Sequence, residues 1–111
     1  MRRYLAICLP WLPTENALIR KAAPPDGPFA VVEMQRGAMR IVALCAHARG
    51  LGLEPGMPLA DARARVPDLG AVPAAPDADA ALLARLAEMC RRYTPSIAVD
   101  PPQGLILDIA G

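Results

Sequence analysis

The side chains that could support chemistry in this sequence are few and far apart. His47 is the only histidine, and no pairing with a cysteine, serine or carboxylate is evident around it. We therefore interpret His47 as a surface or capping residue rather than a general base. Asp100 and Asp108 are the only carboxylates near a predicted hairpin. Because carboxylate oxygens bind divalent cations, this pair is the candidate for residual metal binding.

The cysteines and glycines indicate structural roles. Cys8, Cys45 and Cys90 are widely separated, form no C-x-x-C pair and lie among apolar neighbours, which predicts buried thiols in a reducing compartment. The glycines at positions 50, 52 and 56 do not form a phosphate-binding G-x-G-x-x-G after a strand. We expect them to serve turns and close packing.

The composition predicts a single folded domain or a piece of a larger one. Hydrophobic residues make up 54% of the 111 residues, so the chain can bury a core, and the net charge is +1. No apolar stretch approaches the roughly 20 residues that cross a bilayer. Pro10 and Pro13 interrupt the apolar run near the N-terminus, so it does not match a signal peptide. We expect a cytoplasmic protein that makes no membrane contact.

Apolar runs and chain breakers predict the elements that hold these residues. The clearest is a helix over 78–93 with Asp77 as its cap, because its apolar residues follow the helical period. Its charged residues Arg85, Glu88, Arg91 and Arg92 are expected to form a solvated face. The other predicted elements are strands at 4–9, 29–33, 39–44, 96–99 and 105–109, and helices at 15–21 (capped by Thr14), 46–51 and 59–66. This order predicts an α+β fold.

Four stretches, in order, resemble the start of a Y-family (translesion) DNA polymerase. The most specific is Ala48-Arg-Gly-Leu-Gly-Leu-Glu-Pro-Gly-Met-Pro58, which is similar to the fingers signature of that family. Residues 4–9, the helix ending at 92–94 and residues 104–111 resemble the first palm strand, the palm helix and a strand of the catalytic hairpin. The resemblance covers essentially the whole chain. It implies a partial ferredoxin-like palm (β-α-β-β, residues 1–10 and 74–111) with an inserted small α/β fingers subdomain (residues 11–73), without thumb or little finger.

The resemblance also indicates which residues stand at the catalytic positions. An active polymerase of this family gathers at least three carboxylates around two metal ions. The match places Leu9 at the first aspartate, and Gln103 and Gly104 at the Asp-Glu pair. None of these three can be an anionic ligand. Asp108 corresponds to a structural aspartate, and Asp100 lies away from the matched positions. The resemblance therefore implies a degenerate polymerase site with no catalytic residue, no metal and no other cofactor.

Leu9-Pro10-Trp11 and residues 100–104 are similar to the ImuB branch of bacterial mutagenesis proteins. That resemblance implies a non-catalytic adaptor in DNA damage tolerance and induced mutagenesis. The implied partners are a sliding clamp, an error-prone C-family polymerase and a RecA-like companion protein, contacted mostly through regions outside this sequence. Arg49 matches the family arginine that meets the incoming triphosphate, and Ala46 stands where the family usually has tyrosine. With the metal ligands missing, we expect Arg49 to be a relict or structural residue, a general phosphate contact being the alternative.

Two other functions stay open. The chain could belong to an active translesion polymerase that uses other acids, or be an unrelated small α+β binding module, since β-α-β-β order also fits ferredoxin-like domains. The net charge of +1 predicts weak and strongly salt-sensitive DNA binding. We also expect strand 105–109 to pair with strand 4–9 in the centre of the sheet, leaving the other edge of strand 4–9 unpaired.

Overall fold

The computed structural model describes residues 4–23, 26–92, 94, 96–102 and 104–108. The chain forms two compact units, one made of Met1–Pro10 with Pro76–Gly111 and one made of Trp11–Ala75. The elements, in chain order, are β1 (Tyr4–Cys8), α1 (Leu12–Ile19), β2 (Phe29–Gln35), β3 (Ala38–Leu44), α2 (Ala46–Gly50), α3 (Leu59–Arg65), β4 (Gly70–Pro73), α4 (Pro76–Cys90), β5 (Ile97–Asp100) and β6 (Gly104–Asp108).

The unit Trp11–Ala75 is built around β2, the central strand of a three-stranded sheet ordered β3-β2-β4. The first four residues of β2 form a continuous apolar run and are all buried, as expected for a strand with neighbours on both edges. β3 runs antiparallel to β2, and β4 runs parallel to it. Arg36 and Gly37 join β2 to β3 with φ angles of 51° and 79°, the left-handed conformation that a two-residue hairpin turn requires.

Three helices pack on this sheet through alanine side chains. Ala17 of α1, Ala48 of α2 and Ala62 of α3 are fully buried, and they join one cluster with the large core residues Phe29 and Ile41. An alanine methyl group allows a helix backbone to approach the sheet closely, so the core is filled by the side chains of the strands. In α2 and α3 this alanine is the buried residue of the helix, whereas α1 also buries Leu12.

The other unit consists of β1, α4, β5 and β6 in the predicted β-α-β-β order, and its sheet is ordered β1-β6-β5. β6 is antiparallel to both neighbours, so the predicted central pairing of strands 105–109 and 4–9 is confirmed. Leu105 and Leu107 of β6 alternate into the core, and α4 packs against β5 and β6 with Leu83 and Ala87 buried. The α+β fold class is confirmed.

Several local predictions were wrong. The strand β4 was missed, because it has only four residues and lies between a glycine start and a proline end. Thr14 does not cap α1: the helix begins at Leu12, and the Thr14 hydroxyl donates instead to the backbone oxygens of Trp11 (2.9 Å) and Leu44 (3.3 Å). Asp77 lies inside the first turn of α4, which begins at Pro76.

The burial of individual residues also departs from the prediction. Cys45 is buried, but Cys8 is exposed and Cys90 is intermediate, because β1 lies at the edge of its sheet and Cys90 at the end of α4. Met89, one of the apolar residues that follow the helical period in the predicted helix 78–93, is 64% exposed, since it lies about 200° around the helix from the buried Ala87. The four charged residues of the predicted solvated face are exposed, and Arg91 forms an ion pair with Glu88 at 2.8 Å. The predicted ends of this helix at Tyr93 and of the last strand at Ile109 lie outside the described residues.

Candidate functional site

The first candidate site lies where β1 ends beside the β5–β6 hairpin. Cys8 pairs with Gly104, and Gly104 pairs in turn with Asp100. Leu9 follows β1 directly and is half-buried, so the structure brings the positions 9 and 104 close together. Gln103, the third residue at the matched catalytic positions, lies outside the described residues. Leu9 therefore presents an aliphatic side chain here, and Gly104 presents only a hydrogen atom.

Gly104 has little room for any side chain. A Cβ atom at this position would lie 3.0 Å from the backbone oxygen of Asp100 and 3.3 Å from that of Ile7. Both neighbours belong to the strands that flank β6, so neither can move without disturbing the sheet. Any side chain at position 104 would therefore require these backbone neighbours to give way by a few tenths of an ångström.

The described residues at this site do not fit a two-metal centre. Asp100 pairs with Gly104 at one end of β6, whereas Asp108 pairs with Tyr4 at the other end. Four residues of extended strand separate the backbones at these two ends by about 13 Å. Within the described residues, no group of three or more His, Cys, Asp or Glu side chains could hold a metal ion. Leu9 and Gly104 offer no oxygen ligand from a side chain.

The second candidate site lies on α2, where Arg49 stacks on Trp11. The guanidinium carbon lies 4.3 Å from the centroid of the indole ring. One guanidinium nitrogen, Nη1, is buried and has no hydrogen-bond partner among the residues that the structure describes. A stack of this kind stabilises the fold by about 0.5–2 kcal/mol, and an unsatisfied buried donor costs about 1–3 kcal/mol. The two effects therefore act on stability in opposite directions.

The start of α2 is fixed by Cys45. Its side-chain sulfur accepts hydrogen bonds from the backbone N–H groups of Ala48 (3.4 Å) and Phe29 (3.3 Å), which ties the helix start to β2. His47 is exposed on the same helix. The stacking role of Trp11 and the capping role of Cys45 were not predicted from the sequence. The only tryptophan of the chain, placed directly after the first strand, and a small polar side chain just before A-H-A-R-G were the available signals.

The glycine-rich loop after α2 lies along the free edge of β3. Ile41 of β3 donates to the backbone oxygen of Met57 (2.9 Å), and Gly56 donates to that of Ile41 (2.7 Å). Gly52 and Gly56 have φ angles of 84° and 91°, which favour glycine. The predicted turn and packing role of these two glycines agrees with this geometry.

Comparisons with known proteins give one consistent result. The model of the impB/mucB/samB family (IMS) matches residues 18–110. Protein ImuB from two strains of Caulobacter vibrioides is 48% identical over 61 residues, which cover 55% of this chain and 13% of ImuB. A post-insertion binary complex of Dbh DNA polymerase matches the structure with a TM-score of 0.86, and DinB from Sulfolobus solfataricus with a TM-score of 0.76.

The extent of these matches limits what each one shows. Both polymerases are 18% identical to this chain, and the match covers 98% of the chain and 32% of each polymerase. This likeness shows the fold alone. The chain thus spans about a third of the solved polymerases, and its aligned segment a smaller part of ImuB. In the described part of the chain, no helix is both long enough and apolar enough to cross a membrane.

Proposed function

Because this chain belongs to the impB/mucB/samB family and has the fold of Y-family polymerases, we propose that it is part of a polymerase-like protein of DNA damage tolerance that does not itself synthesise DNA. The observation that carries the proposal is the closeness of Leu9, which directly follows β1, to Gly104, the first residue of β6, which pairs with Cys8. The family resemblance assigns carboxylates to both positions.

The proposal depends on the negative charge that metal ligands must supply. Two divalent cations and a triphosphate stay together only when several anionic ligands neutralise and position the ions. The described carboxylate that pairs with Gly104 is Asp100, which is exposed. A leucine at position 9 and a glycine at position 104 leave the ions without the ligands that in-line transfer requires.

The adaptor role is the positive part of the proposal. The identity to ImuB supports an accessory role in induced mutagenesis, in which a polymerase-like fold connects other proteins instead of extending a primer. The partners we propose are a sliding clamp, an error-prone C-family polymerase and a RecA-like companion protein. In this role Arg49 is a relict of nucleotide binding, held by Trp11, and the protein acts in the cytoplasm.

Metal binding is the direct test, because it is measured on this chain without thumb or DNA. Titration with Mn²⁺, followed by the electron paramagnetic resonance signal of the free ion, should show binding no tighter than the millimolar range. The double substitution Leu9→Asp with Gln103→Asp should tighten binding at least about tenfold if these positions match the family's carboxylates. The single substitution Glu54→Gln, at an exposed position in the other unit, is the control. Tight Mn²⁺ binding by the unaltered chain that is lost in Asp100→Asn would favour an active polymerase instead.

A genetic test addresses damage tolerance separately. In the source organism, deletion of the gene should lower the frequency of damage-induced mutation. A copy carrying Asp100→Ala should restore that frequency fully, because the proposed role needs no metal ligand. Failure of Asp100→Ala to complement, with normal protein levels, would contradict a non-catalytic role.

A further inference from the structure

A small apolar groove opens on the unit Trp11–Ala75 between the start of β3 and the start of α3. Its volume is about 410 Å³, and it is lined by Ala38, Met39, Pro58, Leu59, Ala60 and Arg63. The groove is formed by elements that are fixed to one another, because Arg40 and Pro58 form a β-bridge and the Arg40 guanidinium donates to the Gly56 oxygen (3.3 Å). It is therefore a preformed surface feature.

An exposed pair of methionines extends the apolar surface of the groove. Met34 and Met39 are opposite one another on β2 and β3, and their exposed fractions are 63% and 40%. Side chains two positions apart share a sheet face, so this pair continues the face on which Val32 and Ile41 are buried. The sheet face that is buried beneath the helices at Val32 and Ile41 is therefore exposed at Met34 and Met39.

Arg63 is the cation that lines the groove, and among the described residues no acidic side chain forms an ion pair with it. Arg63 follows Leu59 by one helical turn, so both lie on the same face of α3. Its Nε donates to the backbone oxygen of Leu69 (3.3 Å), which orients the guanidinium group, and within the described ranges it forms no ion pair. Asp61, the acidic residue of this helix, lies about 200° around the helix from Arg63 and therefore faces away from the groove.

We propose that this groove docks a short segment of a partner protein that carries apolar side chains beside a carboxylate. Methionine side chains are flexible and adapt to apolar surfaces of different shape, and an arginine with free N–H groups pairs well with a carboxylate. A nucleic-acid strand fits less well, because five of the six lining residues offer no hydrogen bond from a side chain to a phosphate. The inference goes beyond the proposed function, since such a groove exists whether or not the chain binds metal.

Selection of peptides on this chain tests the proposal. A phage-displayed library of random short peptides is selected on the chain and counter-selected on the Met39→Asp variant. The enriched peptides should combine apolar residues with at least one Asp or Glu. Fluorescence anisotropy with the best synthetic peptide should show binding weakened at least about tenfold by Arg63→Glu and by Met34→Asp.

Charge reversal and a matched control make the result specific. Arg63→Glu should bind better to a peptide whose acidic residue is replaced by lysine. Arg65→Glu, an exposed change of the same charge two positions along α3, should leave the affinity unchanged. Circular dichroism and thermal melts confirm that each variant is folded, and Arg63→Lys should retain part of the affinity.

Four results would overturn the proposal. These are a selection that enriches no peptide, enriched peptides without acidic residues, equal binding by the Arg63→Glu variant, and Arg63-dependent displacement of the peptide by a single-stranded oligonucleotide. A dimer of the chain that dissociates in the Met39→Asp variant would assign the groove to a second copy instead. None of these readouts depends on metal, nucleotide or template, so their outcome is distinct from that of the Mn²⁺ titration.

Discussion

At the scale of single residues, Gly104 is a position where a side chain would be crowded by the backbone of both neighbouring strands. We predict that Gly104→Ala lowers the free energy of unfolding by about 1–3 kcal/mol, because the new methyl group would press on backbone oxygen atoms. Urea unfolding measures the change. Gly50→Ala is the matched control: a Cβ there would meet nothing within 4 Å, so it should be neutral or stabilising by up to about 1 kcal/mol. Equal stability of both variants would contradict the crowding at Gly104.

Cys45 allows a second prediction at this scale. Its sulfur accepts two backbone hydrogen bonds at the start of α2, so Cys45→Ala should destabilise the chain by about 1–2 kcal/mol by leaving both donors unsatisfied. Serine is a preferred capping residue, so Cys45→Ser should lose less than Cys45→Ala. Thermal unfolding of the two variants separates the effects. An alanine variant as stable as the serine variant would show that the sulfur acts only as a space-filling group.

The sequence could not predict the partners of Arg49 and Cys45. Trp11 and Arg49 are far apart along the chain, and their contact depends on where α2 packs relative to the start of α1. Cys45 was expected to be buried and was, but its use as a helix cap depends on the approach of the Phe29 amide from another strand. Contacts of this kind follow from tertiary structure and have no local signature.

At the scale of elements, apolar periodicity and chain-breaking residues predicted helices and strands reliably where a segment has a single apolar face. The helix α4 and the hairpin β5–β6 were predicted from patterns that the structure follows closely. Elements were misjudged where tertiary contacts decide the outcome. The strand β4 exists because its four residues pair with β2, and α1 begins earlier than expected because Pro13 suits the first turn of a helix.

The strand β1 gives a prediction at this scale. Among the described strands it pairs only with β6, and Leu5 on it is 46% exposed. Exposed apolar edge strands associate with other chains, so the 111-residue chain should form dimers or larger species as its concentration rises. Leu5→Lys should reduce this association, whereas Leu51→Lys, at a 45% exposed position away from any strand, should not. Light scattering after size-exclusion chromatography is the measurement. A monomer at all concentrations would show that the exposed edge of β1 does not promote association.

At the scale of the whole molecule, a motif was more informative than composition. Net charge and hydrophobic content fit many folds, whereas the glycine-rich stretch 48–58 has a spacing that predicted the family. The structure gives that spacing a physical meaning, because two of its glycines have the positive φ angles that let the loop follow β3. The catalytic positions were harder to judge, since Gln103 lies outside the described residues and only the closeness of Leu9 to Gly104 could be observed.

The distribution of charge over the molecule predicts its behaviour toward DNA. Residues 1–10 and 76–111 contain five basic and five acidic side chains, and residues 11–75 contain seven and six. Neither unit therefore has the excess of arginine and lysine that phosphate binding requires. We predict that this chain binds a labelled primer–template duplex with a dissociation constant no tighter than about 10⁻⁵ M at physiological salt, and more weakly still as salt is added, since each phosphate contact it makes releases counterions. Fluorescence anisotropy at several salt concentrations measures both quantities.

Replacing Asp61 and Asp68 by lysine, both exposed in the unit Trp11–Ala75, should strengthen binding and steepen its salt dependence. Sub-micromolar binding by the unaltered chain at physiological salt would show that this part of the protein is a DNA-binding unit. It would then have a local basic surface that the near-equal numbers of basic and acidic residues do not reveal.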